Sequence, residues 1–417
     1  MAETVRLYYL YRGLSSAFLF KAFIVFFYLE RGLTFSSIGI LQSIFAITIM
    51  IFEVPTGIYS DKFGRKWAMA TGALIMSASS LCYYFAWNFA AFAFLEFFFA
   101  LGLTLTSGAD SAFLYDALKR VKRLESYPEM EGKATFFKYS GIAISSVIGG
   151  IIASHNLALL FPFTSIVIFS AFIVSRFMDR TNQLESIKNG TQIFHFRRAA
   201  GEMRKSRSVW WVILYSSMIF LLIRASDTYL HPIMKGQGFS YFLIGLTAAG
   251  GALVAAFAGR YTSYLMQKRS LFFLICTIPL ILISSFLLFL YGKGFALALI
   301  LLINLGVQGI YSPFTKSLLN WQIHDSSIRA TVLSLESSVK RIFIVALMPV
   351  AGFLIDKNGF KSGLIMLATV SLIFLVILIM KIPTSLNQNG KNVVSDFPES
   401  NFPEEIKKGK SAFEISN

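Results

Sequence analysis

Apolar residues fill long stretches of this chain, and short polar segments separate them. About twelve stretches have the roughly 20 residues that a helix needs to cross a ~30 Å hydrocarbon core. In chain order, these predicted spans 1 to 12 lie near 6–29, 37–60, 67–87, 89–116, 135–155, 157–175, 209–231, 241–263, 270–291, 294–316, 331–355 and 360–381. The pattern predicts an all-α membrane protein with about twelve transmembrane helices.

The composition agrees with this interpretation. Hydrophobic residues make up 55% of the 417 residues, charged residues make up 14%, and the mean hydropathy is +0.64. About a quarter of the residues in a typical soluble domain are charged. The composition therefore excludes an ordinary soluble domain.

The positive charges concentrate in alternate loops. Most lysines and arginines fall on the side that holds both termini, together with the basic segment 176–208. The positive-inside rule then predicts a multi-pass protein of the inner membrane with both termini in the cytoplasm. The net charge of +16 is mainly a topology signal. Its spread over several loops argues against a nucleic-acid partner.

The widest polar segment divides the spans six and six. We predict an N-terminal six-helix bundle over 1–175, a cytoplasmic central loop over 176–208, a C-terminal six-helix bundle over 209–381 and a disordered cytoplasmic tail over 382–417. The second part of the central loop has the pattern of a basic helix on the membrane surface, and a solvated linker is the alternative.

A tight charged turn, Gly57-Ile-Tyr-Ser-Asp61-Lys-Phe-Gly64-Arg65-Lys66, lies between spans 2 and 3. Its pattern and position resemble the signature between the second and third helices of the major facilitator superfamily. The resemblance implies two six-helix bundles that rock around a site at the middle of the membrane.

The resemblance also implies a conformational latch made of Gly57, Asp61, Gly64, Arg65 and Asp116. In this interpretation Arg65 pairs with Asp116 at the end of span 4. Asp61 holds the start of span 11, because helix N-termini favour negative charge. The latch would keep the bundles together on the cytoplasmic side in the outward-open state.

Acids inside predicted spans are functional candidates, since a charge there costs about 2.5–3.5 kcal/mol. Glu53, Asp110 and Glu96 are the candidates for proton coupling. Glu96 and Asp110 are about four helical turns apart, so they are expected to share one face of span 4. A hydrogen bond to a basic group, or to the turn broken by Pro55, is the alternative for Glu53.

Further charged residues are predicted to line a substrate cavity: Lys21, Arg224, Asp227, Glu336 and Arg341. A shift of the sequence by about two hundred residues brings Lys21 onto Arg224, as expected of an internal repeat. Arg224 and Asp227 can neutralise each other at a spacing of three. Lys21 needs Glu53, Asp110 or an anionic substrate as its partner. Arg341 can alternatively extend toward the interface.

Span 5 carries small residues for close helix packing: Gly141, Gly149 and Gly150. Their spacing resembles the antiporter motif of the superfamily, but Ser145 and Ser146 replace its central Gly-Pro. The expected partner is span 8, with a complementary face of Gly245, Gly250 and Gly251.

These features predict a secondary transporter that moves a small molecule by alternating access. Proton-coupled export by antiport is the first interpretation, because acids lie within the spans and the sequence has no ATPase module. A uniporter or importer of an anionic metabolite is the alternative, and a membrane-embedded enzyme or sensor is the remote one. The expected partners are the substrate, protons and the lipid bilayer, and the protein is expected to be a monomer. The dispersed histidines predict no metal, and no cofactor motif is present.

Overall fold

The computed structural model describes residues 2–179, 206–323, 329–383 and Leu386. These ranges fold into α-helices: α1 Ala2–Leu14, α2 Ile24–Glu30, α3 Phe35–Phe63, α4 Arg65–Tyr83, α5 Phe89–Thr106, α6 Ala109–Arg120, α7 Tyr127–His155, α8 Leu160–Phe177, α9 Arg207–Gly236, α10 Tyr241–Arg260, α11 Thr262–Lys268, α12 Leu271–Tyr291, α13 Phe295–Trp321, α14 Arg329–Asn358 and α15 Phe360–Met380. Most of the predicted central loop and of the predicted tail lies outside the described residues.

Ten helical segments of the described chain are long and apolar enough to cross a membrane. Of the twelve predicted spans, spans 1 and 3 are the two that are not among these segments. Span 1 is divided, since α1 ends at Leu14 and α2 begins at Ile24. Span 3 is the single helix α4, whose hydropathy is lowered by Arg65, Lys66 and several serines. With these two elements, the described residues have the predicted all-α arrangement of twelve helical crossings in two bundles.

Span 4 is also divided, and a glycine explains why. Gly108 has a φ of +84°, a conformation that residues with a Cβ rarely adopt. The helix therefore stops at Thr106 and restarts at Ala109. Residues on the two sides of Gly108 do not continue one helical face. The expectation that Glu96 and Asp110 share a face was therefore wrong.

Each bundle has its own buried interior. In the first bundle, α1 to α8, helix α4 packs against α5 and α8 around stacked aromatic rings such as Tyr83 and Phe161. In the second bundle, α9 to α15, helix α9 is largely buried against α13, α14 and α15. Both arrangements bury aromatic and aliphatic side chains among neighbouring helices.

Two helix pairs join the bundles: α3 packs along α14, and α7 packs along α10. Glycines permit the close approach. A Cβ on Gly39 would lie 2.5 Å from the carbonyl oxygen of Met348, and a Cβ on Gly150 would lie 2.9 Å from that of Tyr241. Small residues at such crossings let the helix backbones come together.

The glycines of span 5 divide their contacts. Gly150 faces α10, where Gly245 is its neighbour, whereas Gly141 approaches Gly13 of α1 and Gly149 approaches Leu19. Gly250 and Gly251 of α10 point instead toward Leu302 and Leu305 of α13. The glycine contact expected between spans 5 and 8 is therefore formed by Gly150 and Gly245. The other glycines of the two spans named above pack within their own bundles.

The two ends of the protein differ in charge. We call the end that carries Lys62, Arg65, Lys66, Lys119 and Lys268 the basic end, and the other the opposite end. Along the α3 and α14 pair, described polar contacts between the bundles begin at the opposite end, where Asp356 meets Phe35, and reach as far as Glu53. Nearer the basic end, a Cβ on Gly57 would have nothing within 4 Å.

Candidate functional site

Glu53 of α3 meets the second bundle near the middle of the helix pair. Its carboxylate accepts a hydrogen bond from Ser337 Oγ at 2.8 Å and lies 3.5 Å from Arg341 Nη1. The Glu53 side chain is 34% exposed. Pro55, two residues on, lacks the N–H that a helix interior normally uses. Glu53 therefore forms an ion pair between the bundles.

Arg224 of α9 forms a second connection between the bundles. Its Nη2 donates to Gln42 Oε1 of α3 at 2.7 Å, while its Nη1 lies 4.0 Å from Asp227. Gln308 of α13 donates to Asp227 at 3.0 Å. Gln42 and Gln308 were not expected from the sequence, because an uncharged amide in a span gives no strong signal.

Glu336 belongs to a network within the second bundle. Ser216 Oγ donates to it at 2.5 Å, Lys340 Nζ lies 3.2 Å away, and Tyr311 Oη lies 2.9 Å from the same serine. Its carboxylate is thus held by α9 and by its own helix. Glu336 makes no polar contact with the first bundle among the described residues.

Asp110 is paired within the first bundle. At the first turn of α6 its carboxylate contacts the guanidinium of Arg12 and accepts the Ser111 N–H at 2.7 Å. Glu131 of α7 lies 3.8 Å from the same arginine and accepts from Ser111 Oγ at 3.1 Å. Arg12 lies inside predicted span 1, so the rule that selected Lys21 applies to it as well.

Glu96 is buried among tyrosines. Its side chain accepts a hydrogen bond from Tyr28 Oη at 2.6 Å, and Tyr83 Oη lies 3.4 Å from that hydroxyl. The residue is 4% exposed. All three groups lie in the first bundle, and Arg224 of the second bundle interacts electrostatically with Glu96.

Lys21 lies in the turn between α1 and α2 rather than inside a helix, and it is exposed. It makes no ion pair with the described residues. Its two candidate partners are engaged elsewhere: Glu53 with Arg341, and Asp110 with Arg12.

The residues of the predicted latch meet at the basic end. Arg65 Nη1 lies 2.8 Å from Asp61, and Arg65 Nε lies 3.7 Å from Asp116. Gly64 has a φ of +101° and turns the chain from α3 into α4. All these contacts lie within the first bundle. Residues 324–328, just before α14, lie outside the described residues, so the contact expected of Asp61 there has no described counterpart.

A helix-capping carboxylate between the bundles lies at the opposite end. Asp356, near the end of α14, accepts the backbone N–H groups of Phe35 and Ser36, each at 2.8 Å, and the Ser36 hydroxyl at 2.5 Å. The negative charge thus sits at the N-terminus of α3, where the helix dipole favours it. This residue lies one position beyond predicted span 11 and was not selected from the sequence.

Comparisons with known proteins agree with the geometry. The family model of the Major Facilitator Superfamily matches residues 9–320, which is most of the chain. The chain belongs to the major facilitator superfamily. It is 21% identical over 376 residues to an uncharacterized MFS-type transporter, YxaM, of Bacillus subtilis (strain 168), covering 88% of this chain and 92% of the relative.

Solved structures of transporters share the fold. A nucleoside transporter, NupG, has a TM-score of 0.74 at 14% identity, covering 91% of this chain and 98% of that one. A D-xylose-proton symporter has a TM-score of 0.67 at 12% identity, covering 92% and 97%. The chain is accordingly a multi-pass membrane protein of a family of secondary transporters.

Proposed function

We propose that this superfamily member is a proton-coupled transporter that exports a small molecule by alternating access, with Glu53 as the coupling acid. The observation that carries the proposal is the ion pair between Glu53 of the first bundle and Arg341 of the second. Protonation neutralises Glu53 and removes its attraction to Arg341. The same carboxylate can therefore bind a proton and weaken the contact between bundles, which couples the two events.

The orientation forms part of the proposal. The positive-inside rule places the basic end, with both termini, in the cytoplasm of the cell. Asp356 and the glycine crossings hold the bundles together at the opposite end. The described conformation is then the inward-open one, closed toward the outside.

Asp110 and Glu96 have secondary roles in this proposal. Each is held by partners of the first bundle, which move together when the bundles rock. A proton on Asp110 changes the first bundle internally, whereas a proton on Glu53 changes the contact between bundles.

Replacing Glu53 by Gln is expected to abolish export driven by a pH gradient. The amide keeps the hydrogen bond to Ser337 but takes up no proton, so the gradient no longer biases the two states. Proton flux and substrate transport are measured on purified protein in liposomes that contain a pH dye, with a panel of compounds added. Proton flux should fall to the level of protein-free liposomes, while downhill substrate exchange continues.

The matched control is Glu129→Gln, which removes an exposed acid of α7 that pairs with Lys133. It should couple normally. Uphill transport by Glu53→Gln at the control's rate would refute the assignment of Glu53.

Asp61→Asn is expected to shift the protein toward the state that is open at the basic end. In the outward-open state, we propose, Asp61 reaches the start of α14 and Arg65 remains bound to Asp116. A hydrogen bond to a charged group contributes about 1.5–3 kcal/mol, or roughly a tenfold or greater shift in population. Turnover should slow more than substrate binding weakens.

Distances between spin labels at the basic ends of α6 and α13 measure this shift. The mean distance should lengthen in Asp61→Asn and stay unchanged in Glu125→Gln, an exposed acid at the same end. Identical distance distributions in both variants, with transport intact, would exclude the latch.

A further inference from the structure

Helix α9 carries two charged residues away from its ends, and they share one face of the helix. Arg224 and Asp227 are three residues apart near the middle of α9, so their side chains are neighbours. They are 26% and 19% exposed. Arg224 contacts Gln42 of α3, so this surface lies between the bundles and not against lipid, where a charge would be costly.

Each charge of this pair is bound by a neutral amide rather than by the other charge. Arg224 Nη1 and Asp227 Oδ2 are 4.0 Å apart, which is too long for a hydrogen bond. Instead, Arg224 Nη2 donates to Gln42 Oε1 at 2.7 Å, and Gln308 Nε2 donates to Asp227 Oδ1 at 3.0 Å. An amide has no net charge, so a charged group of a solute attracts either residue more strongly. A solute can therefore replace the amides.

Aromatic rings lie beside the pair. The guanidinium carbon of Arg224 is 5.9 Å from the centre of the Phe45 ring of α3. Phe220 is one turn before Arg224 on the same face of α9, and its ring centre is 6.2 Å from that of Tyr311. Phe45 and Phe220 are partly exposed. A solute bound at the pair would therefore have apolar surface next to its charged groups.

The pair offers a solute one charge of each sign. Glu96 also interacts electrostatically with Arg224, but it is 4% exposed and accepts a hydrogen bond from Tyr28. A solute with a single charge would match either Arg224 or Asp227 and leave the other residue with its amide. A zwitterion matches both residues. A neutral hydroxyl group offers them no more than the amides already do.

We propose that Arg224 and Asp227 bind the carboxylate and the ammonium group of zwitterionic α-amino acids with apolar side chains, and that these are the substrates. The inference rests on the proposed function, because it names the substrate class of the same transporter. The carboxylate of the solute displaces Gln42 from Arg224, and its ammonium group displaces Gln308 from Asp227.

The dimensions of an α-amino acid fit the pair. Its ammonium nitrogen and nearest carboxylate oxygen are about 3 Å apart. Hydrogen bonds between charged groups are about 2.7–2.9 Å long. The two groups can therefore lie alongside the two side chains, whose charged atoms are 4.0 Å apart. The signs alternate around the four groups, so each charge is next to charges of opposite sign.

Probes that share a phenyl ring test the proposal on purified protein in detergent. The melting temperature is measured against the concentration of phenylalanine, of phenylpropionate, which lacks the amino group, and of phenethylamine, which lacks the carboxylate. Leucine and glucose are added as a second apolar amino acid and a neutral polyol. A ligand that binds the folded state raises the melting temperature, which gives an apparent Kd.

Phenylalanine should bind about ten- to 150-fold more tightly than either analogue with one charge, because each charged group forms its own hydrogen bond. Stabilisation by neither phenylalanine nor leucine would overturn the proposal. So would binding of either analogue, or of glucose, as tight as that of phenylalanine.

Variants that remove one charge test whether the pair contacts the solute directly. Arg224→Gln should weaken the binding of phenylalanine and phenylpropionate about ten- to 150-fold and leave that of phenethylamine, whereas Asp227→Asn should weaken the binding of phenylalanine and phenethylamine and leave that of phenylpropionate. Arg224→Lys keeps the charge and should retain the binding of phenylpropionate. A purely structural role would weaken the binding of all probes equally, and that result would refute the assignment.

The matched controls are Lys133→Gln and Glu129→Gln, which remove the charges of an exposed pair on α7 at 2.6 Å. Both should bind every probe as the unaltered protein does. All these measurements are made without a pH gradient. Binding that requires both charges supports the substrate class even if Glu53→Gln still transports uphill. Loss of coupling in Glu53→Gln, without binding of either amino acid, would refute the substrate class alone.

Discussion

Replacing Asp356 by Asn is expected to open the opposite end of the protein. The carboxylate accepts two backbone N–H groups and one hydroxyl across the bundles and faces the N-terminus of α3. The asparagine amide carries no charge and has one acceptor oxygen, whereas the carboxylate has two. At about 1.5–3 kcal/mol for a hydrogen bond to a charged group, the closed population should fall about 10- to 150-fold relative to the open one.

Spin labels at positions 30 and 293 measure this opening, since Glu30 and Lys293 are exposed at the opposite end, one in each bundle. Asp356→Asn should populate a longer distance. Ser36→Ala, which removes only the hydroxyl, should have a smaller effect.

Asp179→Asn is the matched control for the loss of charge. Asp179, two residues after α8, accepts a hydrogen bond from Thr4 of α1, so its contact does not cross between the bundles. The control should leave the distance distribution unchanged. If Asp356→Asn also leaves it unchanged, the carboxylate does not stabilise the closed end.

The contacts of Asp356 at the opposite end and the proposed latch at the basic end suggest how the equilibrium between the inward-open and outward-open states is balanced. Asp356 holds the start of α3 in the described conformation. The proposed partner contact, Asp61 at the start of α14, would form when the basic end closes. Each carboxylate would then favour one of two states by a few kcal/mol, and the proton on Glu53 needs to alter the balance by a similar amount.

The sequence was sufficient for the fold because long apolar stretches and a charged turn at a fixed place identify the family. The sequence did not predict where the helices of spans 1 and 4 are interrupted. A hydropathy window averages over about twenty residues, so the turn around Lys21 and the positive φ of Gly108 are invisible to it. Those two breaks decide where Lys21 and Asp110 lie.

The sequence also could not predict which charged residues form ion pairs with each other. Glu53 stood out as an acid in a span, but its pairing with Arg341 depends on how α3 crosses α14. Arg12 lies in a predicted span and met the same criterion, yet its importance follows from its contact with Asp110 in three dimensions.

Gly352→Ala is expected to prevent the opposite end from closing. A Cβ at this position would overlap the carbonyl group of Phe35 and lie 2.8 Å from the backbone nitrogen of Ser36. Backbone atoms cannot move aside as a flexible side chain can, so α3 and α14 must separate. Overpacking of this kind costs about 1–3 kcal/mol, or about a 5- to 150-fold change in population. Alanine favours helix formation, so the variant should still fold.

A buried cysteine reports the separation. Ser43 lies between α3 and α14, 3.3 Å from the carbonyl oxygen of Val345. In a protein whose free Cys82 and Cys276 are replaced by Ser, Gly352→Ala should let Ser43→Cys react with a membrane-impermeant maleimide added on the side of the opposite end, and transport should be lost. Gly236→Ala, where a Cβ meets nothing within 4 Å, is the control and should keep the cysteine protected. Closure at this end requires α3 and α14 to touch at this crossing. If the cysteine stays equally protected in both variants, the two helices still touch, and the crossing tolerates a methyl group.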